Sequence, residues 1–391
     1  MLFSRALPSK NILVLDVGSS SVASFLVSVG RGSPELLATV RSPLPLLADP
    51  DFRQIERHTV RALKETAEHF HKSYPRISPD LIFVVISAPW YFCETKLVKI
   101  SRREAFRITP QLLDDLVKDE LELFKRKLVD SFSFPSDELL LLEHEVMRTV
   151  VNGYPVKNPL GKNTNQLELA LYMSFTKKNF FETMESILRH FFSKGVLKVV
   201  SEPTALFRAL SGMASAAEGF LIVDIGGEIT EVYLVRGGIL ESALTFNWGG
   251  NLMVRQLASF LKVDFPEALS FFKSRVRGEL KSSLEEKFST VLQGVCSEWQ
   301  DTLLKVLSEL GKDKPLPQTM FLLGGTAGSD VVKNCASAKE FASLTILGKP
   351  FNVLTFIPED LNKRVVVRGL DRQDPQMTLP LLLVLSALSH V

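Results

Sequence analysis

The stretch LIVDIGGEITEVYLV, residues 221–235, sets two apolar runs around a tight polar turn. The turn opens on Asp224, continues with Gly226 and Gly227 and closes on Thr230. Apolar runs joined through a glycine-containing turn read as a β-hairpin. Glycine adopts turn geometry closed to other residues and lets the backbone approach a bound group. Successive backbone N–H groups in such a turn form a nest for phosphate oxygens, and Thr230 adds a hydroxyl. Taken alone, the stretch is also an ordinary Asp-Gly turn.

A second copy of the plan weakens that ordinary reading. ILVLDVGSSSV, residues 12–22, again runs from an apolar strand through Asp16 and Gly18 into the hydroxyls Ser19, Ser20 and Ser21. An aspartate beside phosphate is repelled unless a divalent cation stands between them. Magnesium prefers oxygen ligands and keeps several waters, so Asp16 and Asp224 can act through those waters. A third element, LLGGTA at residues 322–327, places Gly324, Gly325 and Thr326 at a strand end, where a flat ring can lie against the backbone. The fourth is SEPTALFRAL, residues 201–210, with Glu202 at a strand end and Pro203 opening a helix. By itself Glu202 is equally a first-turn acid stabilised by the helix dipole.

The rest of the chain sets the frame. With 391 residues and 46% hydrophobic content it can build two lobes, each with a core. A net charge of +2 supplies no global field toward nucleic acid or an anionic membrane. Strand and helix patterns alternate, as in α/β proteins. Cys93, Cys296 and Cys335 are odd in number and far apart, which suits a reducing cytoplasm and suggests neither a disulfide framework nor a zinc site. The apolar C-terminal run LPLLLVLSALSHV is shorter than the roughly 20 residues a bilayer requires, so it is expected to be a buried core helix.

In this order the four elements resemble the actin-like ATPase superfamily, which includes actin, the large heat-shock chaperones, sugar kinases, FtsA, MreB and PilM. The resemblance spans nearly the whole chain. It implies an α/β, actin-like (ribonuclease H-like) two-lobed ATPase fold with an FtsA-type small inserted α+β subdomain in the first lobe. It further implies ATP and Mg2+ as ligands. Asp16, Gly18, Ser19, Ser20 and Ser21 would hold phosphate and metal from one lobe, and Asp224, Gly226, Gly227 and Thr230 from the other. Asp16 and Asp224 would reach the metal through water, and Glu202 would orient the attacking water. Gly324, Gly325 and Thr326 would back the adenosine, with Glu267 and Lys273 on the adenine side. Three positions depart from the family pattern. Glu228 replaces the third glycine of the second loop and either turns outward or weakens nucleotide binding. Ser21 stands where many FtsA chains carry lysine, and Lys273 arrives one turn late after Glu267.

The implied division gives a first lobe at residues 1–80 and 176–210, an insertion at 81–175 and a second lobe at 211–370. Within the second lobe, about 262–315 forms a small variable subdomain. Residues 371–391 form a helix packing back on the first lobe. VNGYPVKNPLGKNTNQLELALYMSF, residues 151–175, resembles the FtsA segment in which Lys157, Asn158, Pro159, Leu160 and Gly161 precede the last strand of the insertion. TFNWGGNLMVRQLASF, residues 245–260, resembles the FtsA segment after the second loop.

The expectation is thus an FtsA-like scaffold of bacterial cell division, with nucleotide-controlled self-association into oligomers or filaments and the FtsZ C-terminal tail as partner. The alternative is a PilM-like ATP-binding component of type IV pilus or secretion assembly, which binds the cytoplasmic tail of a pilus inner-membrane protein. A small-molecule kinase of the same superfamily is a distant third, since no acid is marked as its base. Any hydrolysis would be slow and regulatory. The chain stops at Val391, so the FtsA membrane anchor is expected to be absent. The protein would sit in the cytoplasm, held at the inner face of the membrane through partners.

Overall fold

The computed structural model describes residues 10–30, 32–214, 218–276, 279–280, 282–361, 364–367 and 377–390. β1 (Lys10–Val17), β2 (Ser21–Val29) and β3 (Glu35–Pro43) run as an antiparallel meander. α1 (Phe52–Ser73) follows, capped by Asp51, whose carboxylate accepts from the Gln54 N–H at 2.7 Å. Its buried Leu63, Ala67 and Phe70 recur at helical spacing against the sheet. β4 (Leu81–Ile86) returns parallel to β1 and is buried at every position. That is how a strand covered on both faces reads, as an unbroken apolar run. β4 therefore belongs to the first sheet, although the sequence division opened the insertion at residue 81. An apolar strand carries no mark of which sheet it joins.

The insertion proper is a separate antiparallel sheet of β5 (Phe92–Arg107), β6 (Leu139–Val151), β7 (Tyr154–Pro155) and β8 (Asn163–Lys177), ordered β5-β8-β6-β7. α2 (Pro110–Phe132) packs on it, with Thr109 accepting from the Leu112 N–H and Pro110 in the first turn. α3 (Lys178–Phe191) returns to the first lobe through Phe180, Met184 and Leu188. β9 (Val196–Ser201) pairs parallel with β4, and α4 (Glu202–Ser211) leads out of the first lobe.

The second lobe repeats the plan. β10 (Phe220–Ile225), β11 (Thr230–Arg236) and β12 (Ile239–Phe246) form its meander, followed by α5 (Gly250–Leu261), α6 (Phe265–Val276) and α7 (Ser282–Leu310). β13 (Thr319–Leu323) then lies parallel to β10, as β4 does to β1. α8 (Asp330–Ala336), β14 (Asn352–Leu354), α9 (Pro358–Leu361), β15 (Val366–Val367) and α10 (Thr378–Leu388) complete the chain. The two main sheets are ordered β15-β3-β2-β1-β4-β9 and β12-β11-β10-β13-β14. Residues 371–376, assigned above to the start of the last segment, lie outside the described residues.

Three cores result. α1 and α3 cover the outer face of the first sheet, and α5 and α7 cover that of the second. Between the sheets, α4 and α10 share one core with Phe25 and Phe83 from the first and Phe220 and Phe321 from the second. The apolar C-terminal run is thus a core helix, buried nearly all round and packed on α4 and β1.

Truncating Leu382, fully buried on α10, should therefore lower stability by about 2–5 kcal/mol, since a cavity opens in the shared core. Urea denaturation of Leu382→Ala measures it. A loss under roughly 1 kcal/mol would show that this core does not hold the lobes together.

Candidate functional site

The two hairpins meet at the seam between the lobes. Asp16 and Asp224 hold equivalent places, each next to last in the first strand of its meander. Across the second hairpin Asp224 stands directly opposite Glu231, so the two carboxylates share one face of the sheet. Glu202 joins them from the first turn of α4. Glu202, Asp224 and Glu231 each place an oxygen within 4.8 Å of the others, all buried. Asp16 is buried beside them, only 6% exposed.

Glu231 was not singled out from the sequence, yet it crosses the seam. It accepts from the Ala88 N–H at 3.1 Å and from the Tyr91 hydroxyl at 2.5 Å, both in the first lobe. Its own neighbour Tyr233 donates to it at 2.7 Å. Glu202 Oε2 and Asp224 Oδ1 are buried without a hydrogen-bond partner among the described residues.

Burial raises all four acids. It pushes Asp16 up to about 6, with Arg41 opposing the rise. It holds Glu202 and Asp224 well above the usual carboxylate range, and the Glu231 charge adds to both. Glu231 is raised by burial too, against the lowering pull of its Tyr91 and Tyr233 hydrogen bonds. Acids crowded in low dielectric retain protons unless a cation joins them.

The turns themselves touch. A Cβ added to Gly227 would stand 2.3 Å from the Cβ of Ser20, so only glycine fits against the opposite loop. The Glu228 N–H donates to Ser19 Oγ at 3.2 Å across the same contact. Behind the turn, the Gly250 and Asn251 N–H groups donate to the Gly226 and Gly227 carbonyls, both at 2.9 Å. Gly324, at φ +98°, packs against the Ile225 carbonyl, where a Cβ would come within 2.2 Å. Thr326 is buried beside Gly250, while Gly325 is exposed.

Several hydroxyls and charges have protein partners. Thr230 Oγ1 donates to the Trp248 carbonyl at 2.6 Å and accepts from the Trp299 indole at 3.2 Å. Ser21 Oγ accepts from Arg41 at 2.8 Å, so a cation stands near the position where lysine was missed. Glu228 is gripped by both Arg255 nitrogens, at 3.0 and 2.7 Å, and by Asn251 at 2.7 Å. Its charge is thus neutralised within the second lobe. Asp16, Ser19, Ser20, Glu202, Asp224, Gly226 and Gly227 come together. Glu267 and Lys273 stand exposed on α6, six positions apart and hence on different faces. Neither makes a hydrogen bond to the carboxylate cluster among the described residues.

No protein-family model and no curated protein matches the chain. Among solved structures, the chain is similar to one in a PilM–PilN type IV pilus biogenesis complex. Identity there is 19% and the TM-score 0.66, over 98% of this chain and 99% of that chain. EutJ, an ethanolamine utilization protein of Carboxydothermus hydrogenoformans, follows at 15% identity and TM-score 0.46, over 97% and 91%. MreB 5 of Spiroplasma citri bound to AMPPNP stands at 11% and 0.47, over 98% and 96%. The chain has the actin-like ATPase fold. No helix among the described residues is long and apolar enough to cross a membrane.

The carboxylate cluster suits a divalent cation: its donors are all oxygens, and two buried oxygens lack partners. The turns of the two hairpins press together so closely that a side chain at Gly227 would collide with Ser20.

The Asp16 carboxyl titrates at about 6 folded against 3.8 for the ordinary group. Between those values the folded state binds more protons than the unfolded one. Stability contributed by the protonated form is therefore present below that window and lost as pH rises through it, at up to about 1.4 kcal/mol per unit. With divalent cations chelated, denaturation across a pH series should show this decline, and Asp16→Asn should make it shallower, since Glu202, Asp224 and Glu231 are raised as well and keep part of the slope. Equal slopes in the two proteins would reject the assignment.

Proposed function

We propose that the chain is a PilM-like cytoplasmic scaffold. It binds ATP with magnesium at the hairpin cluster and recruits the cytoplasmic tail of a membrane-embedded assembly partner. One observation carries this reading above the division scaffold expected first. The likeness to the PilM-containing complex covers 98% of this chain and 99% of that one, and so takes in the inserted four-stranded subdomain as well as both lobes.

The chemistry of the seam supports the nucleotide part. Magnesium would be held by Asp16 and Asp224 through water, with Glu202 and Glu231 close by, and would neutralise the crowded acids and the phosphates together. The remaining steps belong to the protein. Ser20 and Gly227 separate to admit phosphate, and Ser19 releases the Glu228 N–H. Glu202, at the mouth of α4, positions a water. Gly324 and Gly325 offer bare backbone to the adenosine. Because Glu231 ties the hairpin to Ala88 and Tyr91, opening the loops moves the lobes. Nucleotide state is thereby converted into a change of surface.

The insertion supports the partner part. β6 pairs with β8 along its length but with β7 only at Val150 and Val151. Cavities of about 370 and 520 Å³ flank its other edge, meeting at His144. An extended tail can add to such an edge as a strand.

Calorimetry with ATP and magnesium should show binding to the wild type and none to Asp224→Asn; equal affinities would remove Asp224 from the site. Peptides from the source organism's pilus partner tail and its FtsZ C-terminal tail separate the two scaffold readings. Selective binding of the pilus tail is expected, and selective binding of the FtsZ tail would overturn it in favour of division. Val146→Lys, at a half-exposed edge position, should weaken tail binding about tenfold or more, roughly 1.4 kcal/mol, and leave ATP affinity unchanged.

A further inference from the structure

His390, just past α10, is held between two basic side chains. Its Nδ1 lies 2.9 Å from Lys198 Nζ on β9, and its Nε2 lies 3.1 Å from Arg208 Nη1 on α4. Phe83 packs against the imidazole, ring centroids 5.3 Å apart, and restrains its plane. Lys198 and Arg208 line the cavity of about 370 Å³ beside β6, together with Glu143, His144 and Glu185. The acids on β6 that face this group are engaged elsewhere. Glu143 accepts from the Ser201 N–H, the Ser201 hydroxyl and the Thr204 hydroxyl at 2.9, 2.6 and 2.8 Å. Glu145 accepts from Arg208.

The donors along this row of nitrogens determine the state of Lys198. A guanidinium has only donors and is not deprotonated in proteins. His390 Nε2 must therefore accept from Arg208 and carry no hydrogen. The neutral imidazole then carries its hydrogen on Nδ1, facing Lys198. An ammonium at Lys198 would set donor against donor there, whereas an amine accepts. An imidazolium would face donors on both sides. Burial, with Lys198 and Arg208 adding to it, pushes His390 down to about 4 and keeps the ring neutral. Burial and Arg208 pull Lys198 down as well, against Glu143 and Glu145.

We propose that Lys198 is a neutral, nucleophilic amine and a modification site for carbon dioxide, which converts it to a carbamate. The amine lone pair attacks the carbon of carbon dioxide. An N–C bond forms, one C=O π pair moves onto oxygen, and the proton lost from nitrogen passes to water. No oxidant or leaving group is required. Carbon dioxide is uncharged, so Glu143 and Glu185 on the cavity wall do not repel it as they would an anionic acyl phosphate. The product suits the same neighbours. A carbamate oxygen gives the His390 Nδ1–H an anionic acceptor, and the Arg208 contact to Nε2 is kept. The new negative charge lies in a cavity flanking the β6 edge. Its effect on a docked tail rests on the partner reading above, but the modification itself does not.

The test equilibrates the full chain with isotopically labelled bicarbonate near neutral pH, traps carbamates with triethyloxonium and maps them by mass spectrometry after digestion. Lys305, exposed on α7, is the internal reference. Lys198 should carry at least about ten times the label of Lys305, since each unit of lowered pKa is a tenfold gain in free amine. His390→Ala removes the hydrogen bond that selects the amine and should cut the label at Lys198 about tenfold, with Lys305 unchanged. Label at wild-type Lys198 no greater than at Lys305 would overturn the proposal, and that comparison needs no variant to fold. Equal label at Lys198 in the wild type and a folded His390→Ala would overturn it too. Neither readout uses nucleotide or peptide, so failure here leaves the ATP and partner readings standing, and their failure leaves the carbamate standing.

Discussion

Four acids packed at one seam constrain everything around them. Asp16 comes from one lobe, Asp224 and Glu231 from the other, and Glu202 from the segment that joins them. Left charged and unpaired in low dielectric, they would repel each other and lose hydration, at a cost of several kcal/mol per ion. The protein offsets part of this through Glu231, which receives three hydrogen bonds, two of them from the opposite lobe. The rest is met by retained protons, or by a cation when one is present. Glu231 thus ties the lobes at the seam, beside Glu202 and Asp224, which each keep an oxygen without a partner among the described residues.

Backbone contacts explain why glycine recurs at the seam. Gly227 meets Ser20, Gly249 meets the Gly227 carbonyl, and Gly324 meets the Ile225 carbonyl, each too close for a side chain. Such contacts fix the turn without occupying the volume that a ligand's own atoms would use after the loops part. The third glycine of the family pattern is the exception. Glu228 sits where its carboxylate reaches back to Arg255 and Asn251 on α5, away from Ser20. A negative charge is tolerated beside the glycine turn because a bidentate guanidinium has already claimed it.

The parts of this arrangement that the sequence disclosed are those in which local chemistry and local geometry coincide. A strand, an aspartate and a glycine turn lie within a dozen residues, and the pattern occurs twice. The apolar C-terminal run is too uniform to be anything but enclosed. What escaped notice depends on distant segments meeting. Arg41 and Arg255 reach the turns from other elements. Glu231 is the instructive omission. It follows Thr230 directly, and hairpin register sets it opposite Asp224. A strand pattern assigned residue by residue does not reveal that pairing, whereas pairing the two arms of the turn does. The misplaced start of the insertion has the same origin, because β4 shows its burial but not its neighbours.

The doubled meander also bears on how the lobes work as a unit. In each lobe the hairpin strand carrying the aspartate is flanked by a parallel strand, β4 or β13, that delivers the next segment of the site at its end. β4 delivers Ala88 and Tyr91, the partners of Glu231, and β13 delivers Gly324. Asp16, Asp224 and Glu231 therefore sit near the ends of buried strands, while Glu202 enters on the first turn of α4 after the edge strand β9. α4 and α10 fill the space between the two sheets and belong to a single core. A displacement at the turns must then pass into that core as a rigid shift of strands, since packed interiors resist continuous deformation. The insertion hangs on the first sheet through β5 and α3, next to the segment that Glu231 holds. The β6 edge and the acid cluster are thus connected by continuous packed structure, so a displacement at one would be felt at the other.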